Sequence, residues 1–143
     1  MKSIHILLVE DNAGDVLLIK EALEDGRVAN DLSICRDGEQ AIRCLSREGE
    51  YADAVRPDII ILDINLPRKN GHEVLEFIKE HKELKQIPVI MLTTSSSEKD
   101  IMQSYSNHAN CYITKPLEVE DFLKAVIEIE QFWINLVKLP GED

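Results

Sequence analysis

The chain lacks a surplus of basic charge. Its 27 Asp and Glu residues outnumber its 16 Lys and Arg, the formal net charge is -11, and the cations are scattered rather than gathered into a stripe. Binding to nucleic acid through its phosphates, which needs clustered cations, is therefore not expected. No secretory leader is expected either: Met1-Lys2-Ser3-Ile4-His5-Ile6 enters a strand-like run directly, without a signal-peptide hydrophobic region. No apolar stretch approaches the roughly 20 residues that a membrane span needs. These absences imply a cytoplasmic protein with no membrane segment. Cysteine is scarce. Cys35, Cys44 and Cys111 are odd in number and free of any C-x-x-C spacing, so neither a disulfide framework nor a zinc site is expected, and they read as small apolar side chains. Repeats, low-complexity stretches and linkers are absent, and only the tail Pro140-Gly141-Glu142-Asp143 reads as unstructured.

What remains is one ordinary globular domain of 143 residues, 44% hydrophobic and 30% charged, with enough chain to bury a core. Short apolar runs alternate with segments of helical period, the pattern of a parallel α/β sheet. Five such pairs are expected. The strands run from about Ile4 to Val9, Asp31 to Cys35, Pro57 to Asp63, Pro88 to Thr93 and Cys111 to Thr114. The helices are expected after Asp11-Asn12 with Val16, Ile19 and Leu23 inward, near Gly38 to Ser46 with Ala41, Ile42 and Leu45 inward, after Asn70-Gly71 with Val74, Leu75 and Ile78 inward, near Glu98 to Ser106, and from about Val119 to Val137. The segment Leu66-Pro67-Arg68-Lys69-Asn70-Gly71 carries turn chemistry.

Asp63 closes a run, Ile59-Ile60-Ile61-Leu62-Asp63, that reads as buried on both faces. A carboxylate there needs a partner or a task. Other polar residues close other apolar runs: Glu10-Asp11, Thr93 and Lys115. In a parallel sheet these strand ends share one edge. Several carboxylates brought together either raise a pKa or recruit a cation. All-oxygen ligands without His or Cys favour a hard ion, Mg2+, over zinc or copper. One oxygen of Asp63 would then be free to attack phosphorus and form an acyl phosphate, with Lys115 supplying positive charge and the Thr93 hydroxyl a bond to a phosphoryl oxygen. Blander roles stay open. Asp63 could be an N-cap or ion-pair Lys115, Asp11-Asn12 could cap a helix, Thr94 could stand in for Thr93, and Tyr112 could be core. His5, His72, His81 and His108 have no ligand spacing and read as surface residues.

Four motifs in order carry a family resemblance: Leu8-Val9-Glu10-Asp11-Asn12, Leu62-Asp63-Ile64-Asn65-Leu66-Pro67 with Asn70-Gly71, Pro88-Val89-Ile90-Met91-Leu92-Thr93, and Tyr112-Ile113-Thr114-Lys115-Pro116. With them the chain, from about Ile4 to the middle of the last helix, resembles the CheY-like receiver domains of two-component response regulators. The resemblance implies a doubly wound, flavodoxin-like sheet of five parallel strands in the order 2-1-3-4-5. It implies one receiver domain over 1–143 with an extended last helix, the extension beginning at about 130. Asp63 would be the phosphoacceptor charged by a sensor histidine kinase. Mg2+ would be held by Glu10, Asp11, Asp63 and the Asn65 backbone carbonyl, Thr93 and Tyr112 would be a switch pair, and Lys115-Pro116 would be cis.

The Gly49-Glu50-Tyr51 insertion, the 65–71 run, His108-Ala109-Asn110-Cys111-Tyr112 and the ending Phe132-Trp133 with Leu139-Pro140 resemble single-domain regulators paired with bacterial phytochromes, which commonly dimerise. His108 and Cys111 depart from the glycines many receivers carry there, so backbone freedom in that loop is reduced. In the last helix Phe122, Val126, Ile129 and Trp133 form one apolar line, and Leu123, Ile127, Ile134 and Val137 another. That is more than one sheet face requires, so the surplus, with Trp133 and Leu136, is expected to form a homodimer interface.

A phosphatase with an aspartyl-phosphate intermediate is disfavoured, because the haloacid-type enzymes want a second Asp two residues after the nucleophile, where this chain has Asn65. A flavodoxin-like cofactor binder would want a Ser/Thr/Gly phosphate loop in place of Glu10-Asp11. The chain is thus expected to be a signalling module rather than an enzyme, with no output domain following and its signal leaving by protein contact. The alternative is a relay that passes the phosphoryl group to a histidine phosphotransfer protein.

Overall fold

In the computed structural model, residues 3–94 and 111–137 are described, with side chains through 131. The helix expected over about 98–106, His108, the Ser95–Ser97 run and the tail from 138 lie outside them. So do the side chains of Phe132, Trp133, Ile134, Leu136 and Val137.

Strands β1 (Ile4–Val9), β2 (Asn30–Cys35), β3 (Ile59–Asp63), β4 (Val89–Thr93) and β5 (Cys111–Thr114) pair in parallel in the order β2-β1-β3-β4-β5. The helices are α1 (Ala13–Asp25), α2 (Gly38–Leu45), α3 (Gly71–Glu80) and α4 (Val119–Val137), and a 3-10 turn spans Gly49–Tyr51. The expected order and all five strands are present.

Side-chain alternation divides the core. Leu7, Val9, Ile60, Leu62, Val89 and Met91 pack with α2 and α3, while Ile6, Leu8, Ile59, Ile61, Ile90 and Leu92 pack with α1 and α4. All of β3 and β4 is buried, which is why those strands read as continuous apolar runs. Truncating Ile61, fully buried in β3, to Ala would cost roughly 2–5 kcal/mol.

Helix starts follow local chemistry. The Asn12 side chain accepts from the Asp15 N–H at α1 and that of Asp37 from the Gln40 N–H at α2, satisfying donors with no intrahelical partner. The segment read as a turn at Asn70-Gly71 starts α3 by a reciprocal capping box between Asn70 and Glu73. The left-handed residue of that loop is Arg68, with φ 68°. Gly71 is needed for a different reason: a Cβ there would lie 2.4 Å from the Asp63 carbonyl oxygen and 2.6 Å from Ile64 Cα. The loop thus folds back against the end of β3.

The histidine expectation needs correcting. Only His81 is exposed among the described ones; His5 and His72 are half-buried, because His5 lies within β1 and His72 opens α3 against the domain.

Candidate functional site

Strand register assembles the site. Val9 pairs with Leu62, so Glu10 follows directly beside Asp63. Asp63 pairs with Leu92, so Thr93 comes one step beyond. Thr93 pairs with Thr114, which puts Lys115 next in line, and the Lys115 N–H donates to the Thr93 carbonyl at 2.7 Å. The Lys115-Pro116 bond is cis. All four residues lie at the carboxyl edge, where β1 and β3 diverge in connection and ligand sites form in open α/β sheets.

The Lys115 ammonium is the hub. It donates to Glu10 Oε1 at 2.5 Å, to Asp15 Oδ2 at 2.9 Å and to Asp63 Oδ2 at 3.2 Å. Its side chain is 8% exposed, and Glu10 and Asp63 are buried beside it. Asp63 Oδ1 accepts the Asn65 N–H at 3.1 Å, and Glu10 Oε2 accepts the Asn12 N–H at 3.1 Å. Both carboxylates are thereby oriented.

Charge follows from this packing. Burial lifts the Glu10 carboxyl to about 7, a hydrogen bond with Asp63 adds to the rise, and Lys115 and the Asn12 N–H pull against it. Carboxylates crowded together at one edge favour binding of a cation. Burial pulls the Lys115 ammonium down, but its bonds to Glu10 and Asp15 and the charge of Asp63 outweigh burial and hold it above the usual lysine value.

Glu10, Asp63, Thr93 and Lys115 are therefore together. Asp11 and Asn65 are exposed at the mouth, and the Asn65 amide donates to the Thr94 hydroxyl at 2.9 Å. Thr93 is buried and Thr94 exposed, so it is Thr93 that belongs to the enclosed part of the edge. Tyr112 is half-buried against the α2–α3 side of the core. Asp15 is the site residue that sequence reasoning missed. Its signal was there, a further acid within one helical turn of Asn12, but an acid in a first turn reads as dipole complement.

The donor chemistry suits a hard divalent ion: oxygen ligands from two buried carboxylates beside the exposed Asp11. Among the described residues no three acidic, His or Cys side chains already converge as a cage. Lys115 bridges Glu10 and Asp63, and a bound cation would take over its neutralising role.

The chain is similar to known proteins over nearly its whole length. The family model of the response regulator receiver domain matches residues 6–127. The response regulator Rcp1 of Synechocystis sp. is 47% identical over 136 residues, covering 95% of this chain and 92% of that protein. The crystal structure of the phosphorylated cyanobacterial phytochrome response regulator RcpA superposes with a TM-score of 0.82 at 48% identity, covering 98% of this chain and 100% of that one. The Mn2+-bound form of Rcp1 gives a TM-score of 0.80 at 46% identity, covering 96% and 99%.

Proposed function

This chain belongs to the response regulator receiver domain family and is a two-component response regulator, and we propose that Asp63 is its phosphoacceptor. The observation that carries the proposal is the 3.2 Å contact between Asp63 Oδ2 and the Lys115 ammonium at the edge of a buried strand. An Asp63 oxygen attacks the phosphorus of a phosphohistidine on the sensor kinase. The P–N bond breaks, the imidazole nitrogen leaves with the electron pair, and an acyl phosphate forms. Lys115 turns from a carboxylate to a phosphoryl oxygen, and the Thr93 hydroxyl bonds another.

Glu10, Asp11, Asp63 and the Asn65 carbonyl would hold Mg2+, a choice supported by their all-oxygen chemistry and by the Mn2+-bound structure of the similar Rcp1. When bound, the ion would offset negative charge on the transferring group. The added phosphoryl charge, roughly -1.5 to -2, draws Thr93 inward and lets Tyr112 repack, changing the face that includes β5 and α4.

Resemblance to RcpA supports a phytochrome-type sensor kinase as the partner. A cytoplasmic location fits that partner, and no helix among the described residues is long and apolar enough to cross a membrane. The protein is not an enzyme toward small substrates in this reading. Asn65, at the position a phosphatase would give its acid/base, presents an amide already bonded to Thr94, so the phosphoryl group is stored rather than turned over. A homodimer through α4 completes the proposal, supported by Val119 and Ile127, which are exposed on that helix.

The test is intact-mass measurement after acetyl phosphate with Mg2+. Wild type gains one phosphoryl mass and Asp63→Asn gains none. A gain in both, or in neither, removes the mechanism.

A further inference from the structure

Cys35 and Cys44 stand nine positions apart, one ending β2 and the other in α2. The fold brings them together. Cys35 is buried, and Cys44, half-buried, packs against the cluster that contains it. Both line one cavity of about 190 Å³, between β1, β2, α2 and the 3-10 turn, whose wall also carries Arg47 and Arg56. None of the three cysteines is in a disulfide.

We propose that Cys35 and Cys44 form a peroxide-sensitive thiol pair that closes to an intramolecular disulfide.

The two sulfurs have different tasks. The neighbouring Cys35 thiol lowers Cys44 to about 7 against the opposing effect of burial, while Cys44, burial and the nearby charge of Asp37 push Cys35 up. Cys44, half-buried, is thus the more accessible, attacking sulfur and the buried Cys35 its resolving partner. Partial access is one thing a reactive thiolate requires, and the cavity provides it. The space exceeds the roughly 30 Å³ that one water takes in the liquid, so a small hydroperoxide fits.

The Cys44 sulfur attacks the nearer peroxide oxygen. The O–O bond breaks, an alkoxide or hydroxide leaves and takes a proton, and Cys44 becomes a sulfenic acid. The Cys35 sulfur then displaces hydroxide from Cys44, its own proton leaving with that hydroxide as water. In sum two thiols lose two electrons, and one peroxide becomes an alcohol, or water, plus a second water. This chemistry does not depend on the phosphoacceptor reading. It lies close to that site all the same, since the Cys35 carbonyl accepts the Glu10 N–H at 2.9 Å.

The experiment treats the folded, full-length protein with hydrogen peroxide, blocks remaining thiols with an alkylating agent, and maps peptides without reduction. The expected result is a Cys35–Cys44 cross-link with loss of two hydrogens, reversed by dithiothreitol, while Cys111 remains alkylated. The wild-type map decides the matter even if Cys44→Ser folds poorly; where that variant folds, it should leave Cys35 alkylated after peroxide. Recovery of both Cys35 and Cys44 in alkylated form overturns the proposal. So does Cys44 stopping at sulfinic acid unjoined to Cys35, and so do pairings through Cys111 in comparable yield.

Discussion

Replacing Lys115 by Met separates the two roles its ammonium fills. The substitution keeps an unbranched apolar stem but removes the charge that touches Glu10, Asp15 and Asp63. Removing one partner of a buried ion pair costs roughly 3–5 kcal/mol, because the other charge is left uncompensated. Glu10 limits that cost. It already titrates at about 7, and Lys115 is one of the groups holding it down, so the variant's Glu10 titrates higher still.

A folded-state value raised above the ordinary 4.5 means that the folded protein keeps a proton the unfolded chain has released. Stability from this source is complete below 4.5 and is lost as pH rises through the folded value, at up to about 1.4 kcal/mol per pH unit. Lys115→Met should therefore be less stable than wild type by about 3 kcal/mol above pH 8, with the deficit narrowing by at least about 1 kcal/mol near pH 6, where Glu10 holds its proton in both proteins. Mg2+ should stabilise the variant more than the wild type at the higher pH, since the ion assumes the missing charge. Urea denaturation followed by far-UV circular dichroism, with chelator and with Mg2+, measures both effects. Adding Glu10→Gln should flatten the variant's pH dependence. A deficit independent of pH and Mg2+, or one that Glu10→Gln leaves sloping, would refute the account and reduce Lys115 to packing.

Gly71→Ala drives a Cβ into the backbone of Asp63 and Ile64, where no flexible side-chain end can yield. A loss of about 2 kcal/mol in urea stability and slower phosphorylation by acetyl phosphate are expected, and unchanged values of both would show that the 64–70 loop gives way freely. For the proposed dimer, sedimentation at micromolar concentration should show a wild-type dimer that Ile127→Glu, at an exposed position of α4, converts to monomer; monomer alone in the wild type, phosphorylated or not, refutes the interface.

The strand ends were legible because burial on both faces leaves a polar residue nowhere to stand within β3 or β4. Asp63 and Thr93 announce themselves as the first interruptions of apolar runs. Register then does the rest, since parallel neighbours of similar length end together. What stayed hidden depends on contacts across loops. Asp15 lies in a helix whose face toward the edge is set by the entry angle at Asn12, and nothing local encodes that angle. At Asn70-Gly71 the dipeptide signalled a turn correctly, but the need for glycine comes from the Asp63 carbonyl, a partner eight residues upstream. The thiol pair was invisible for the same reason: Cys35 and Cys44 meet only after β2 and α2 pack face to face.

These particulars bear on how phosphorylation could be read elsewhere in the molecule. The Lys115 backbone is fixed to Thr93 by the N–H to carbonyl bond, while its side chain is shared among three carboxylates, one just after β1, one in α1 and one in β3. A phosphoryl group on Asp63, as proposed, would compete for that ammonium against Glu10 and Asp15. The side chain can turn without its backbone, so the first consequence is release of the Asp15 carboxylate at the start of α1, and the second is a hydroxyl shift at Thr93, the residue joined to Lys115. Charge added at β3 would thus reach β4 and β5 through one lysine. The measurement that isolates this path is the Asp15→Asn variant. With one competitor removed, Lys115 should reach the phosphoryl group more readily, and the acetyl phosphate concentration giving half-maximal phosphorylation should fall. An unchanged or higher requirement would mean that Lys115 is not shared in the way its three contacts imply.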